Sequence, residues 1–169
     1  NPVTISGLTS STVYQYYVRS NCGGSDLSTW SGPFSFTTTQ VPAVVPFTDD
    51  FSANEWSFVN GTQTNQWFVG NAAGNPANGM YISNDNGVTN FYALNPTSVT
   101  HAFRDISFPA GLNPFSLKFD WKANGESTYD YLRVWLVPSS ATITAGTQIS
   151  TGNTPGAIQI GGNFNQSTV

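Results

Sequence analysis

Charge is what this sequence has least of. Only 8% of its 169 residues are Asp, Glu, Lys or Arg, about a third of the share usual in a soluble domain. The five basic residues, Arg19, Arg104, Lys118, Lys122 and Arg133, are scattered along the chain and set against nine acidic ones, for a net charge of −4. No basic stripe is left to track a phosphate backbone, which excludes nucleic acid as an expected partner. Cysteine is nearly absent as well: Cys22 stands alone, so no internal disulfide framework exists, although pairing outside this chain stays open. No run of about 18 apolar residues is present, which excludes a membrane-spanning helix. No charged segment followed by an apolar stretch opens the chain, so no signal peptide is read in it. Helical periodicity is missing too, with no stretch of a dozen residues apolar at i, i+3, i+4 and i+7.

What fills the space is neutral and polar. The chain holds 17 Asn, 19 Ser and 20 Thr, and these must hydrate most of the surface. Aromatics reach 14%, too many for a disordered chain and enough for a core. Short β-rich runs bounded by Gly, Pro, Asn and Ser recur, the pattern of a sandwich or barrel. The expected strands are Val13–Ser20, Pro33–Thr38, Gln66–Val69, Phe91–Leu94, Val99–Phe108, Phe115–Lys122 and Tyr129–Val137. The fold class is therefore all-β.

Composition breaks between Thr37 and Pro46. Pro42 and Pro46 disfavour continuous pairing, so residues 40–46 read as an extended linker between a first segment, 1–39, and a second, 47–169; the alternative is an edge strand. In the first segment Gly7-Leu8 precedes Thr12, Tyr14, Tyr16 and Val18 at spacing two, then Trp30-Ser31-Gly32-Pro33 and Phe36-Thr37-Thr38. This resembles the last three strands of a fibronectin type III domain, with strands A to D lacking. The resemblance implies that the natural chain extends upstream. It also implies a tyrosine corner at Leu8 and Tyr14, in which the phenol bonds back to nearby backbone.

In the second segment Asp49-Asp50-Phe51 precedes Trp56, Gln66-Trp67 and Tyr81-Ile82-Ser83-Asn84-Asp85. Leu117-Lys118-Phe119-Asp120-Trp121-Lys122 and Tyr129-Asp130-Tyr131-Leu132-Arg133-Val134 follow. This order resembles the choice-of-anchor J or cleaved-adhesin modules, jelly-roll β-sandwiches related to the MAM fold and found in secreted bacterial surface proteins. The final strands of such a module are lacking, so the jelly roll is expected to be cut short. Strand parity places Leu117, Phe119 and Trp121 on one face, expected as core, and Lys118, Asp120 and Lys122 on the other. Leu132, Val134 and Leu136 share a face with Asp130, while Tyr131, Arg133 and Trp135 lie opposite. Asn124-Gly125 suits a turn joining these two strands as a hairpin.

A hard cation needs several oxygen ligands, and the related modules commonly carry structural calcium near a sheet edge. The resemblance thus implies a Ca²⁺ site, for which Asp49, Asp50, Asp85 and Asp130 are the candidates, with Glu126 and Asn84 behind them. No EF-hand spacing is present, so distant segments would have to assemble it. The open alternative is that Asp85-Asn86-Gly87 forms a turn and Asp130 caps a backbone amide. Tyr131 and Trp135, with Arg133, form the one aromatic row expected to face outward, a candidate platform on which a sugar ring stacks; the alternative is that these aromatics are core.

Catalysis finds little support. No Gly-x-Ser-x-Gly elbow, phosphate-cradling loop, zinc spacing or dinucleotide fingerprint is present. His101, the single histidine, sits beside Phe103 at strand spacing and reads as packing or surface. Glu126 and Asp130 could face a groove as a hydrolytic acid pair, but they fit the calcium reading equally well. Asn60-Gly61-Thr62 and Asn165-Gln166-Ser167 match the N-glycosylation pattern by chance. The expectation is a non-enzymatic part of a modular cell-surface or secreted protein, extracellular or on the outer cell surface, binding a glycan or protein ligand in adhesion. The family resemblance adds export with type IX secretion components. The alternatives are an accessory module of a secreted protease or polysaccharide hydrolase, and a structural spacer.

Overall fold

The computed structural model describes residues 2–111, 114–126 and 128–166. Among them there are strands and turns and no helix, so the protein is all-β. Ten strands are present: β1 Val13–Val18, β2 Ser31–Thr37, β3 Ala43–Val44, β4 Ser57–Val59, β5 Gln66–Gly74, β6 Ala77–Ser83, β7 His101–Phe103, β8 Ile106–Ser107, β9 Leu132–Leu136 and β10 Ile158–Phe164. They form five two-stranded ladders. β1–β2, β4–β7, β5–β6 and β9–β10 are antiparallel, and β3–β8 is parallel.

In β1–β2, alternation places Tyr14 and Tyr16 opposite Phe36 and Phe34. Ring centroids of the two pairs lie 5.9 and 5.4 Å apart, the cross-strand aromatic contact that supports a sheet. The Tyr14 hydroxyl accepts the Thr9 backbone N–H at 2.9 Å, a phenol-to-backbone bond of the kind expected of this tyrosine. Hydrogen bonding with Thr9, through its side chain first and then its backbone, holds the phenol pKa below its usual value.

Residues 40–46, read from the sequence as a linker, are tied into the second segment. Gln40 is 8% exposed. Its Nε2 donates to Ser57 Oγ at 2.9 Å and to Phe103 O at 3.0 Å, and its Oε1 accepts the Asp105 N–H at 2.6 Å. Ala43 and Val44 then pair with Ile106 and Ser107. Val99–Phe108, read as one strand, is split into β7 and β8, which pair with different partners.

The most deeply packed part is the β5–β6 hairpin, in which Gly79, Tyr81 and Ser83 are buried at period two. Tyr81 stacks on Phe68 at 6.5 Å and donates to Gly87 O at 2.7 Å. Gly70 makes this possible, since a Cβ there would lie 2.9 Å from the Tyr81 hydroxyl. Tyr81 and Ala157 are the buried hydrophobic residues among those described.

The expected hairpin of Phe115–Lys122 with Tyr129–Val137 is not formed. Residues 115–122 carry no strand, and β9 pairs with β10 instead. The reason lies at Asn124-Gly125. Gly125 N–H donates to Asn165 O, and Asn124 bridges Gln166, so this dipeptide meets the far end of the chain rather than reversing it. Further along, the amides of Tyr129 and Asp130 both donate to Glu126 O. Of the face expected as core, Phe119 and Trp121 pack edge-on against Phe164 at 5.6 and 5.1 Å, while Leu117 is 54% exposed. Phe91–Leu94 carries no strand either.

Candidate functional site

The six residues proposed as calcium ligands fall at three places. Asp49 and Asp50 lie in the loop before β4. Asp49 Oδ1 accepts the Phe51 N–H and its Oδ2 the Trp56 indole N–H, both at 2.8 Å. Asp50 accepts the Ser52 N–H at 2.9 Å, a bond that holds its carboxyl below the usual range. Both acids line an open polar cavity of about 300 Å³ together with Thr48, Ser52, Ala53 and Glu55. Glu55 is drawn toward Arg104, at 2.7 Å, and its side chain is 58% exposed.

Asn84 and Asp85 follow β6. The Asp85 carboxylate accepts from Ser83 Oγ at 2.6 Å, Thr89 N–H at 2.9 Å and Thr89 Oγ1 at 2.8 Å. These bonds, the Ser83 hydroxyl foremost, hold the carboxyl at about 2. Ser83 Oγ in turn accepts the Asp85 and Gly87 amides. Asp85 thus braces a turn, with every one of its bonds made inside a seven-residue loop. The Asn84 backbone N–H closes that loop by donating to Phe91 O at 3.0 Å.

Glu126 and Asp130 share the third place. Asp130 Oδ2 caps the Glu126 N–H at 3.2 Å and accepts from the Tyr92 hydroxyl at 3.2 Å. Burial first, then the charges of Asp130 and Glu126, push the Tyr92 phenol up. Among the described residues no three His, Cys, Asp or Glu side chains come together in a way that could hold a metal ion. Asp49, Asp85 and Asp130 instead direct carboxylate oxygens to donors of this chain.

The aromatic row is a different case. Tyr131, Arg133 and Trp135 are all half-buried. The Arg133 guanidinium lies over the Tyr131 ring, 4.4 Å from its centroid, an attraction of about 1 kcal/mol at a partly exposed site. Arg133 Nε donates to Asn163 Oδ1 at 2.8 Å and Nη1 to Gln148 Oε1 at 3.0 Å. Gln148 Nε2 donates to the Tyr131 hydroxyl at 3.2 Å, which closes a ring of contacts around Arg133. Asn153 Nδ2 holds the Gln148 carbonyl at 2.8 Å, and Asn153 also exchanges bonds with Ser150. Asn163 reaches Arg133 because the ladder is irregular between Ile160 and Phe164, a bulge that re-aims a side chain. Trp135 shares the strand face and stands opposite Gln159.

Next to this network lies a second cavity, about 330 Å³, lined by Pro138, Ser140, Ala141, Thr142, Asn153, Thr154 and Pro155. Its lining has hydroxyl and amide groups and no charge. Gln148, Asn153 and Asn163 escaped the sequence reading: Gln148 and Asn163 meet Arg133 from 15 and 30 residues along the chain, and Asn153 acts through Gln148, which local spacing does not reveal. Elsewhere, His101 Nε2 lies 3.0 Å from Thr147 O, and Cys22 is exposed as a free thiol in the Asn21–Leu27 turn. Among the described residues no helix is long and apolar enough to cross a membrane. Comparison with known proteins finds no match to any family model, curated protein or solved structure.

Proposed function

We propose that this chain is a non-enzymatic binding part of a modular cell-surface or secreted protein, with the β9–β10 face holding a glycan. In this reading the first segment is a fibronectin type III-like piece and the second a jelly-roll β-sandwich module, exported with type IX secretion components and acting in adhesion. The observation that supports it is the Tyr131–Arg133–Gln148–Asn163 cluster. An aromatic ring lies under a guanidinium and its hydroxyl accepts from one amide, Gln148, while the guanidinium is held by Gln148 and Asn163, beside a cavity lined by hydroxyls and amides. Sugars are recognised by such a combination, since ring faces contact the apolar C–H side and amides read the hydroxyls. Arg133 covers one face of Tyr131, so stacking on this ring uses the other face.

Titration calorimetry against a panel of neutral and acidic oligosaccharides tests this. Tyr131→Ala and Gln148→Ala are expected to weaken binding at least about tenfold, about 1.4 kcal/mol. Binding unchanged in both variants, or none in the parent chain, leaves the structural spacer as the better reading. Calcium enters this reading only at the cavity beside Asp49 and Asp50. A melting midpoint that does not move between CaCl₂ and EDTA removes it, because an ion binding only the folded state must raise stability.

A further inference from the structure

Of the five basic side chains, four are accounted for by water or by a carboxylate. Arg19, Lys118 and Lys122 are exposed, and the half-buried Arg104 meets Glu55 at 2.7 Å. Arg133 is the exception. It is half-buried too, yet none of the nine acidic side chains lies within ion-pair distance of it. What surrounds it is neutral: the Tyr131 ring, the Gln148 amide and the Asn163 amide. A charge drawn out of water needs a counter-charge or a full set of hydrogen bonds, and among the described residues Arg133 has neither.

The hydrogen bonds show which part of the guanidinium is left over. Such a group carries five N–H donors. Nε gives its own to Asn163 Oδ1 at 2.8 Å, and Nη1 gives one to Gln148 Oε1 at 3.0 Å. Both N–H groups of Nη2 and the second of Nη1 thus meet no acceptor among the described residues. The two amides are themselves held in place. Asn153 donates to the Gln148 carbonyl, and Gln148 Nε2 donates to the Tyr131 hydroxyl. Gly161, at φ +73°, turns β10 where the ladder is irregular just ahead of Asn163. Amide oxygens fix the guanidinium without cancelling its charge, as a carboxylate at either position would have done.

We propose that the ligand of the β9–β10 face is an acidic glycan whose carboxylate is received at Nη2 of Arg133. This rests on the glycan reading above and narrows it to sugars that carry a uronate. The planar guanidinium matches the two oxygens of a carboxylate, and the uncovered face of Tyr131 takes the ring that bears it. The adjoining cavity, reached through Asn153, offers Ser140, Thr142 and Thr154 hydroxyls and no charge. It suits the hydroxyls of a neighbouring sugar, so the charge of the site comes from Arg133.

Titration calorimetry of the 169-residue chain against galacturonate and glucuronate oligosaccharides, each beside its methyl ester, is the test. Esterification removes the charge and keeps the ring, so each pair isolates the contact with Arg133. At least one acid is expected to bind about tenfold more tightly than its ester, and Arg133→Gln should bring that ratio close to one. Acid and ester binding equally in both pairs overturns the inference and leaves the glycan reading standing, since sugar is then held without the charge. A preference for the acid that survives Arg133→Gln overturns it too, because the carboxylate is then read elsewhere. None of these sugars binding, while a neutral oligosaccharide does, overturns the inference alone; no sugar binding at all takes the glycan reading down with it. If Arg133→Gln fails to fold, the guanidinium resonances of Arg133 in the unaltered chain decide. They must shift on adding the acid and stay in place with the ester; equal behaviour with both overturns the inference.

Discussion

The β1–β2 and β5–β6 ladders are built from the same local material and end in opposite environments. Both are antiparallel and both set aromatic opposite aromatic, Tyr14 and Tyr16 opposite Phe36 and Phe34 at period two in one, and Tyr81 opposite Phe68, with Gly79, Tyr81 and Ser83 at period two, in the other. In β6 that period becomes burial, with Tyr81 7% and Ser83 1% exposed; in β1–β2 Tyr16 stays 46% exposed. The difference does not lie in the strands. β5–β6 is covered by its own following loop, because Ser83, Asp85 and Thr89 fold residues 83–89 back so that Gly87 O meets the Tyr81 hydroxyl. β1–β2 is followed by no such loop among the described residues. Alternation thus specifies a ladder, and only a non-local cover turns it into core.

The largest expected effect breaks or upholds that contrast directly. Tyr81→Ala deletes a buried ring, its stack on Phe68 and its bond to Gly87 O, and should destabilise by about 3 kcal/mol. Tyr16→Ala removes a half-exposed ring and should cost under about 1 kcal/mol. Urea unfolding of both variants checks this, and equal midpoint shifts would abolish the distinction.

Between the two ladders stands Gln40, the buried clasp of the segment that follows β2. Gln40→Ala strands Asp105 N–H and Phe103 O without their amide partner, at about 2 kcal/mol. The loss should be read in protection of β4, β7 and β8 by amide exchange, with β1–β2 little affected. A uniform loss across all ladders would show the two regions to be one cooperative unit.

How much of this was legible in the sequence follows the range of each contact. The all-β class, β1 and β2 rest on residues a few positions apart, and alternation and turn chemistry expose them; the phenol bond of Tyr14 was expected only from the resemblance. Gln40 sits in a Pro-containing stretch that reads as solvent-facing; nothing near it announces partners at Ser57, Phe103 and Asp105. The hairpin expected at Asn124-Gly125 failed for the same reason. The dipeptide suits a turn locally, but Asn165 and Gln166, some forty residues on, claim its hydrogen bonds. Arg133 and Trp135 share a face of β9 as parity requires, and Tyr131 stands just before that strand. The amides that hold Arg133 come from Gln148 and Asn163, whose pairing no local pattern gives.

A smaller effect separates the ladders by pH. Asp85 is held at about 2 in the folded chain, below the ordinary aspartate range. A carboxyl depressed by folding contributes stability that is complete above its unfolded pKa and is lost as pH falls through the folded one. The loop covering Tyr81 should therefore loosen between about pH 4 and pH 2, and Asp85→Asn should flatten that dependence. No carboxylate lies within β1 or β2, so their ladder should not follow it. Tyr81 and Tyr16 fluorescence variants titrated over this range compare the two.

The smallest expected effect concerns two cation contacts, one beside the Gln40 clasp and one beside β1–β2. Arg104 meets Glu55 at 2.7 Å beside the Gln40 clasp, with the Glu55 side chain 58% exposed. Arg19 lies 4.5 Å from the Trp30 ring centroid beside β1–β2, with Trp30 60% exposed. Water screens the first, so Glu55→Gln should cost about 0.5 kcal/mol or less, vanishing in molar salt. Arg104 also donates to the Glu55 backbone carbonyl, a bond that Glu55→Gln keeps, so Arg104→Ala should cost more than Glu55→Gln at any ionic strength. Salt titration of both variants separates the terms. A Glu55→Gln loss that persists in molar salt would mean that the clasp region, like the β5–β6 loop, is held by its charges, and that the contrast with β1–β2 is electrostatic as well as one of cover.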